Sequence, residues 1–189
     1  MNDLKAFFEI GLDHIWDPNA YDHLLFIASL LIVYRIKEIK EVILALTAFT
    51  LGHAISLLIS VFGIIPIGDR MVEFLIPITI VLMSAYHLIF GKGKNYIVYL
   101  LTTVFGSIHG LAYAKDLIQM LSGSMSVTKP LLGFNLGVEV AQIIFGFLFL
   151  LVLETILALK VIEQKALRMF IFGVILTLAF QLVIQNRIW

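Results

Sequence analysis

Six apolar stretches dominate this sequence, and each is close to the roughly 20 residues that a helix needs to cross a bilayer. They occupy approximately residues 20–36, 41–65, 71–91, 95–115, 131–159 and 166–186. The chain is 61% hydrophobic and only 14% charged, with a mean hydropathy of +1.04, which excludes a soluble globular domain. The sequence therefore predicts an all-α integral membrane protein with six transmembrane helices in one bundle.

The first 18 residues differ from the rest of the chain. Between Leu4 and Trp16, apolar residues recur at helical spacing with charges between them, which is typical of an amphipathic helix. This segment is too short to span a bilayer, so we expect an interfacial helix over residues 1–18 that ends in a turn. The N-terminus shows no small-residue cleavage site, and we expect no removable signal peptide. Together, residues 1–189 predict a single polytopic membrane domain.

Basic residues are distributed unevenly between the two sides of the predicted bundle. The loops after the first, third and fifth stretches hold Arg35, Lys37, Lys40, Lys92, Lys94, Lys160, Lys165 and Arg168, and the other side holds Lys5, Arg70, Lys115, Lys129 and Arg187. Positively charged loops stay in the cytoplasm, so this bias predicts a protein of the inner (cell) membrane with both termini extracytoplasmic. The net charge is zero without a basic tract, and we expect no nucleic-acid partner.

Histidines and acids in or beside the stretches are candidate functional residues, because ionisable groups in a membrane are costly. Asp22 and His23 open the first stretch at the outer face, and His14 precedes them before the turn. His53 lies about 18 Å from the cytoplasmic start of the second stretch, at a rise of ~1.5 Å per residue. These positions predict a cluster in the outer half of the bundle.

Two further residues fall at a similar depth. His109 sits in the outer third of the fourth stretch between two glycines, whose spacing favours close helix packing. Glu139 lies about 12 Å below the outer end of the fifth stretch, in a polar stripe with Asn135 and Gln142. The chain has no cysteine, so nitrogen and oxygen must hold any metal. The predicted ligands of a divalent transition metal (Ni, Co or Zn) are His14, Asp22, His23, His53, His109 and Glu139.

Three functions fit such a site. A permease would capture the ion at the outer side and pass it inward. A zinc-dependent intramembrane hydrolase would use the metal to lower the pKa of a bound water, with Asp22 or Glu139 as general base, and would act on a lipid or a membrane peptide. A sensor or structural site would hold the ion in a closed coordination shell. The roles of Glu73 and His87 stay open, and each residue taken alone also fits a purely structural hydrogen bond.

Five blocks of the sequence resemble the HupE/UreJ family. The blocks are GLDHIWDPNAYDHLLF (11–26), FTLGHAISL (49–57), VE (72–73), FGSIHGLAY (105–113) and FNLGVEVAQ (134–142). The resemblance implies a small polytopic membrane protein, associated with hydrogenase and urease maturation, that acts as a nickel or cobalt permease. It implies partners in metalloenzyme maturation, and it implies metal contacts at the same six residues.

Overall fold

Helices account for nearly all of the structure. The computed structural model describes residues 3–18, 21–64, 69–121 and 127–188, and these ranges contain no strand. The helices are α1 (Asp3–Trp16), α2 (Asp22–Leu31), α3 (Ile39–Val61), α4 (Asp69–Phe90), α5 (Asn95–Leu121), α6 (Thr128–Ala158) and α7 (Gln164–Gln185), with a 3-10 turn at Ile36–Glu38. The prediction of an all-α protein is confirmed.

Five of these helices, α3 to α7, are long and apolar enough to cross a membrane. The chain is therefore a multi-pass membrane protein. Helix α2 has only 10 residues, so it covers about 15 Å, or half of a hydrocarbon core. The predicted first stretch, 20–36, thus contains a helix that is too short to cross the membrane by itself. The count of six crossings stays a prediction.

Helix α1 packs lengthwise against α6, and the two helices run in the same direction. A Cβ atom added to Gly133 would overlap the carbonyl oxygen of Leu4, and one added to Gly137 would overlap that of Phe8. Gly11 approaches the backbone of α6 just as closely. The expectation of a helix near the N-terminus is confirmed, whereas its location on the membrane face stays a prediction.

Helices α3 and α5 form a second parallel pair in which backbone touches backbone. A Cβ atom on Gly52 would overlap the carbonyl oxygen of Thr103, and one on Gly106 would overlap that of Phe49. Gly110 is crowded by α3 in the same way. The close approach predicted from the spacing of Gly106 and Gly110 is therefore present, and it fixes the histidines that lie next to these glycines.

One end of the bundle is closed by ion pairs, and we call it the ion-pair end. Arg35 Nε lies 2.7 Å from Glu154 Oε1, and Lys92 Nζ lies 2.6 Å from Glu38 Oε1. The hydrogen bond that Arg35 donates to Glu154 raises the pKa of Arg35 above its usual value. These contacts join the loop after α2 to the last turns of α6 and to the loop after α4, so the loops after α2 and α4, both predicted to face the cytoplasm, meet at one end.

Candidate metal centre

Five of the six predicted ligands converge where α1, α2, α3 and α5 meet. They form two groups, His14–His23–His53 and Asp22–His23–His109, and within each group the ligand atoms lie within 4.8 Å of one another. His23 belongs to both groups. We call these five residues the histidine cluster.

Asp22 orients His23, its neighbour in sequence. The Nδ1–H of His23 donates to Oδ1 of Asp22 at 2.8 Å, and the His23 backbone N–H donates to the same oxygen at 2.6 Å. The Nδ1 nitrogen carries the proton, so the Nε2 lone pair is available. This Nε2 atom is buried and has no hydrogen-bond partner. A carboxylate that holds the second ring nitrogen in this way is the usual support of a metal-binding histidine.

Asn135, on α6, plays the same part for His53. The amide nitrogen of Asn135 donates to the carbonyl of Leu131 at 2.8 Å, which leaves its oxygen to accept from His53 Nδ1 at 3.2 Å. The Nε2 atom of His53 is consequently the bare nitrogen, and it too is buried without a partner. His53 is completely buried, so it is held in place without access to solvent.

His109 is oriented by Thr79 of α4. The Thr79 hydroxyl donates to the carbonyl of Ile76 at 2.7 Å, so it accepts a hydrogen bond from His109 Nε2 at 3.0 Å. The Nδ1 atom of His109 is then the free nitrogen, and it is buried without a partner. Sequence reasoning missed Thr79. The available signal was a threonine, two positions after Pro77, in a largely apolar stretch.

His14 completes the histidine cluster from α1. Its ring centroid lies 4.7 Å from that of His23 and 6.1 Å from that of His53, and its Nε2 atom is buried without a partner. The ring of Tyr113 packs on it at 4.2 Å and that of Phe134 at 5.5 Å. These aromatic rings exclude water from one side of the imidazole and limit its rotation.

The donor set fits a divalent transition metal. Buried nitrogen atoms without partners are rare in proteins because each costs free energy, yet four of them converge here. Three imidazoles and an open position are a common arrangement for Zn²⁺, and imidazole suits Ni²⁺ and Co²⁺ equally. His14, His23 and His53 would hold the ion in the first group, and Asp22, His23 and His109 in the second.

Glu139 lies outside both groups. Its Oε1 atom accepts a hydrogen bond from the Thr47 hydroxyl at 2.6 Å, and its Oε2 atom is buried without a partner. Its depth predicted that Glu139 would lie next to the histidines. Asn135, one turn earlier on α6, lies there instead and contacts His53. The role of Glu139 as a ligand of this centre stays a prediction.

The two residues of open role lie away from the cluster. Glu73 is exposed on α4, and its backbone carbonyl accepts from Asn186 at 3.1 Å. His87 is buried near the ion-pair end, where its Nδ1 atom lies 2.7 Å from the carbonyl oxygen of Gly91. Neither belongs to the two groups of ligands.

An acidic depression borders the histidine cluster on the side of α1. It has a volume of about 470 Å³ and is lined by Asp13, His14, Asp17 and Tyr113, among others. Carboxylates that line a cleft attract cations and raise their local concentration. The depression therefore offers cations an approach to His14.

The fold and the cluster define a multi-pass membrane protein with a buried group of histidines and a carboxylate that suits a transition metal ion. The HupE / UreJ protein family model matches residues 1–186, and the chain belongs to the HupE/UreJ family. The resemblance inferred from the sequence blocks is thereby confirmed. No curated protein and no solved structure gives a match to the chain.

Proposed function

We propose that this protein is an inner-membrane permease for a divalent transition metal ion, Ni²⁺ or Co²⁺. The observation that carries the proposal is the membership of His23 in both ligand groups. Two adjacent positions that share a ligand allow an ion to move from one to the other without losing all its contacts at once. Conduction needs binding that is strong enough for capture and divided over several positions for release.

The approach to the cluster supports the same function. Glu9 and Asp13 are exposed on α1, and Asp17 lines the acidic depression beside them. Charged side chains do not face hydrocarbon, so this side of α1 borders water. A wet, negatively charged approach that ends at His14 is what an entering cation requires.

We also propose that α1 and α2 together make the first of six crossings. Both run parallel to α6: α1 lies beside its first turns, and α2 passes Gly146, which Leu31 contacts. Helix α1 ends at Trp16 and α2 begins at Asp22, so His14 lies on one half and His23 on the other. Broken helices with ligands at the break are a recurring design of ion transporters. With the cytoplasm at the ion-pair end, both chain termini are extracytoplasmic.

A zinc-dependent hydrolase is the second candidate, and three imidazoles with an open position favour it. Of the two carboxylates that would serve as general base, Asp22 accepts two hydrogen bonds from His23, and Glu139 lies outside both ligand groups. Because neither is well placed to take a proton from a metal-bound water, transport is the better supported function.

Uptake into proteoliposomes tests the proposal. We expect Ni²⁺ or Co²⁺ uptake by the wild type to exceed that of His53→Ala by at least about tenfold, since even supporting residues of metal sites are commonly worth that much. His87→Gln, a histidine change outside the cluster, is the control and keeps its uptake. Equal uptake by the wild type and His53→Ala would overturn the permease. Metal bound in proportion to protein, without uptake, would instead support the hydrolase or a closed structural site.

A further inference from the structure

A second set of polar side chains lies between α3 and α6, next to the histidine cluster. The Thr47 hydroxyl donates to Glu139 Oε1 at 2.6 Å. The Thr50 hydroxyl lies 3.2 Å from Gln142 Oε1 and 3.2 Å from the carbonyl oxygen of Leu46, and it shares its one proton between these two acceptors. Glu139 and Gln142 are three residues apart and share a face of α6, as the two threonines do on α3. We call these four residues the oxygen cluster.

The oxygen cluster lies deeper in the bundle than the histidines. Glu139 follows Asn135, the partner of His53, by one turn, or about 6 Å. On α3, Thr50 and Thr47 precede His53 by about 4.5 and 9 Å. The helices are antiparallel, because contacts pair His53 with Asn135 and Thr47 with Glu139. Both displacements therefore point toward the ion-pair end.

The carboxylate of Glu139 has no positive partner in the part of the chain that the structure describes. The ion pairs found there join Lys5 to Glu9, His23 to Asp22, Arg35 to Glu154 and Lys92 to Glu38. Glu139 Oε2 and Gln142 Nε2 are buried without a hydrogen-bond partner. Carboxylates within a membrane are usually paired with a cation, and the candidate metal centre lies one turn away.

We infer that the oxygen cluster is a second cation site, built from oxygen donors alone, which receives the ion from the histidine cluster. This inference rests on the proposed transport function. Imidazole nitrogen suits late transition metals better than carboxylate, amide or hydroxyl oxygen does, so the ion is held less firmly here than among the histidines. A tight site followed by a weaker one gives capture at the outer side and release toward the inner side.

Apolar packing ends the polar route just beyond the oxygen cluster. A Cβ atom on Gly146, one turn past Gln142, would lie 2.8 Å from Cδ1 of Leu31 and 3.4 Å from Cδ1 of Leu46. The Arg35–Glu154 pair closes the end below it. Between α3 and α6, the oxygen cluster is thus the last set of polar side chains among the described residues before the closure, where a waiting ion would be held.

The substitution Glu139→Gln tests the role of the negative charge while it keeps the shape of the site. The variant keeps the side-chain size and an oxygen that accepts from Thr47, while it removes the negative charge. Its control is Glu163→Gln, an exposed acid at the start of α7.

The full-length protein in detergent is titrated with Co²⁺, and bound ions are counted by equilibrium dialysis. We expect two ions in the wild type and the control, a tight one and a weak one. In Glu139→Gln we expect only the tight ion, with its visible absorption spectrum unchanged, and uptake about tenfold lower.

The outcomes distinguish this inference from the function on which it rests. One ion in the wild type, or two ions and full uptake in Glu139→Gln, would overturn the oxygen site and leave the permease standing. Absence of the tight ion from the wild type would overturn the permease itself. If Glu139→Gln unfolds at a lower temperature than the wild type, Thr47→Val decides the matter. It retains the carboxylate and removes one oxygen donor, and unchanged weak binding in it contradicts the proposal.

Discussion

Oγ1 of Thr79 lies 3.0 Å from Nε2 of His109, and this contact determines which ring nitrogen of the histidine faces the cluster. Asp22 does the same for His23, and Asn135 for His53. In each case one nitrogen donates to a protein oxygen and the other is left bare. The candidate centre is therefore preorganised by hydrogen bonds, and two of the residues that make them, Thr79 and Asn135, lie outside both ligand groups.

The Thr79 contact yields a direct prediction. Thr79→Val keeps the shape of the side chain but removes the acceptor, so the ring of His109 can rotate or change tautomer. We expect the affinity for Co²⁺ or Ni²⁺ to fall by about 10- to 100-fold, measured by titration calorimetry. Thr102→Val is the matched control, because Thr102 is equally buried and its hydroxyl binds only the carbonyl of Val98 in its own helix. An equal loss in both variants would speak against the orienting role.

Gly52 is predicted to be intolerant of a side chain. Gly52→Ala would push α3 away from α5, because the added methyl overlaps the carbonyl oxygen of Thr103. We expect a stability loss of about 1–3 kcal/mol and weaker metal binding, since His53 moves with α3. Thermal unfolding and metal titration measure the two effects. Gly173→Ala, whose new methyl meets nothing within 4 Å beyond its own stretch of helix, should lower neither stability nor metal binding.

We predict that the ion pair between Arg35 and Glu154 stabilises the ion-pair end through the attraction between its opposite charges. The carboxylate of Glu154 accepts from Arg35 Nε at 2.7 Å, from Arg35 Nη2 at 3.2 Å and from the backbone N–H of Ile36 at 3.2 Å. Glu154→Arg places two cations together and should lower stability by about 1 kcal/mol. Combining it with Arg35→Glu should recover most of the loss in thermal unfolding. No recovery in the double variant would mean that shape rather than charge matters.

The orientation of the chain can be measured directly, because the sequence contains no cysteine. Single cysteines at Lys94, in the loop after α4, and at Arg187, beyond α7, are labelled in intact cells with a maleimide that does not cross the membrane. We expect reaction at position 187 alone, and at position 94 only after the cells are permeabilised. The reverse pattern would place the acidic depression on the cytoplasmic side.

Much of the site was predictable because depth along a helix follows from residue number at a fixed rise. His14, Asp22, His23, His53 and His109 were selected on that ground, and the structure brings them together. Glu139 shows the limit of the approach. It lies only a turn from Asn135, yet it bonds to Thr47 and stands outside both groups of ligands. Depth does not say which helix a side chain meets.

The fold has the same limit at the first predicted crossing, because the sequence does not say which helices pack together. Continuous hydropathy over residues 20–36 predicted one helix and separated it from an amphipathic segment before it. The structure ends α2 at Leu31 and holds α1 against α6 through Gly11, Gly133 and Gly137. The two glycines on α6, four residues apart, indicate close helix packing. They do not indicate that α1 is the helix that packs there.

The sequence by itself determined the class of protein, the helical state of its spans and the chemical kind of ligands available. Those properties follow from composition and from the lack of water in a bilayer, which act on each segment separately. Only the tertiary structure decided which histidines lie close enough to share an ion, which nitrogen each one presents and where the oxygen cluster lies. These depend on the rotation of each helix about its axis and on hydrogen bonds between helices, and both are set by packing between segments distant in sequence.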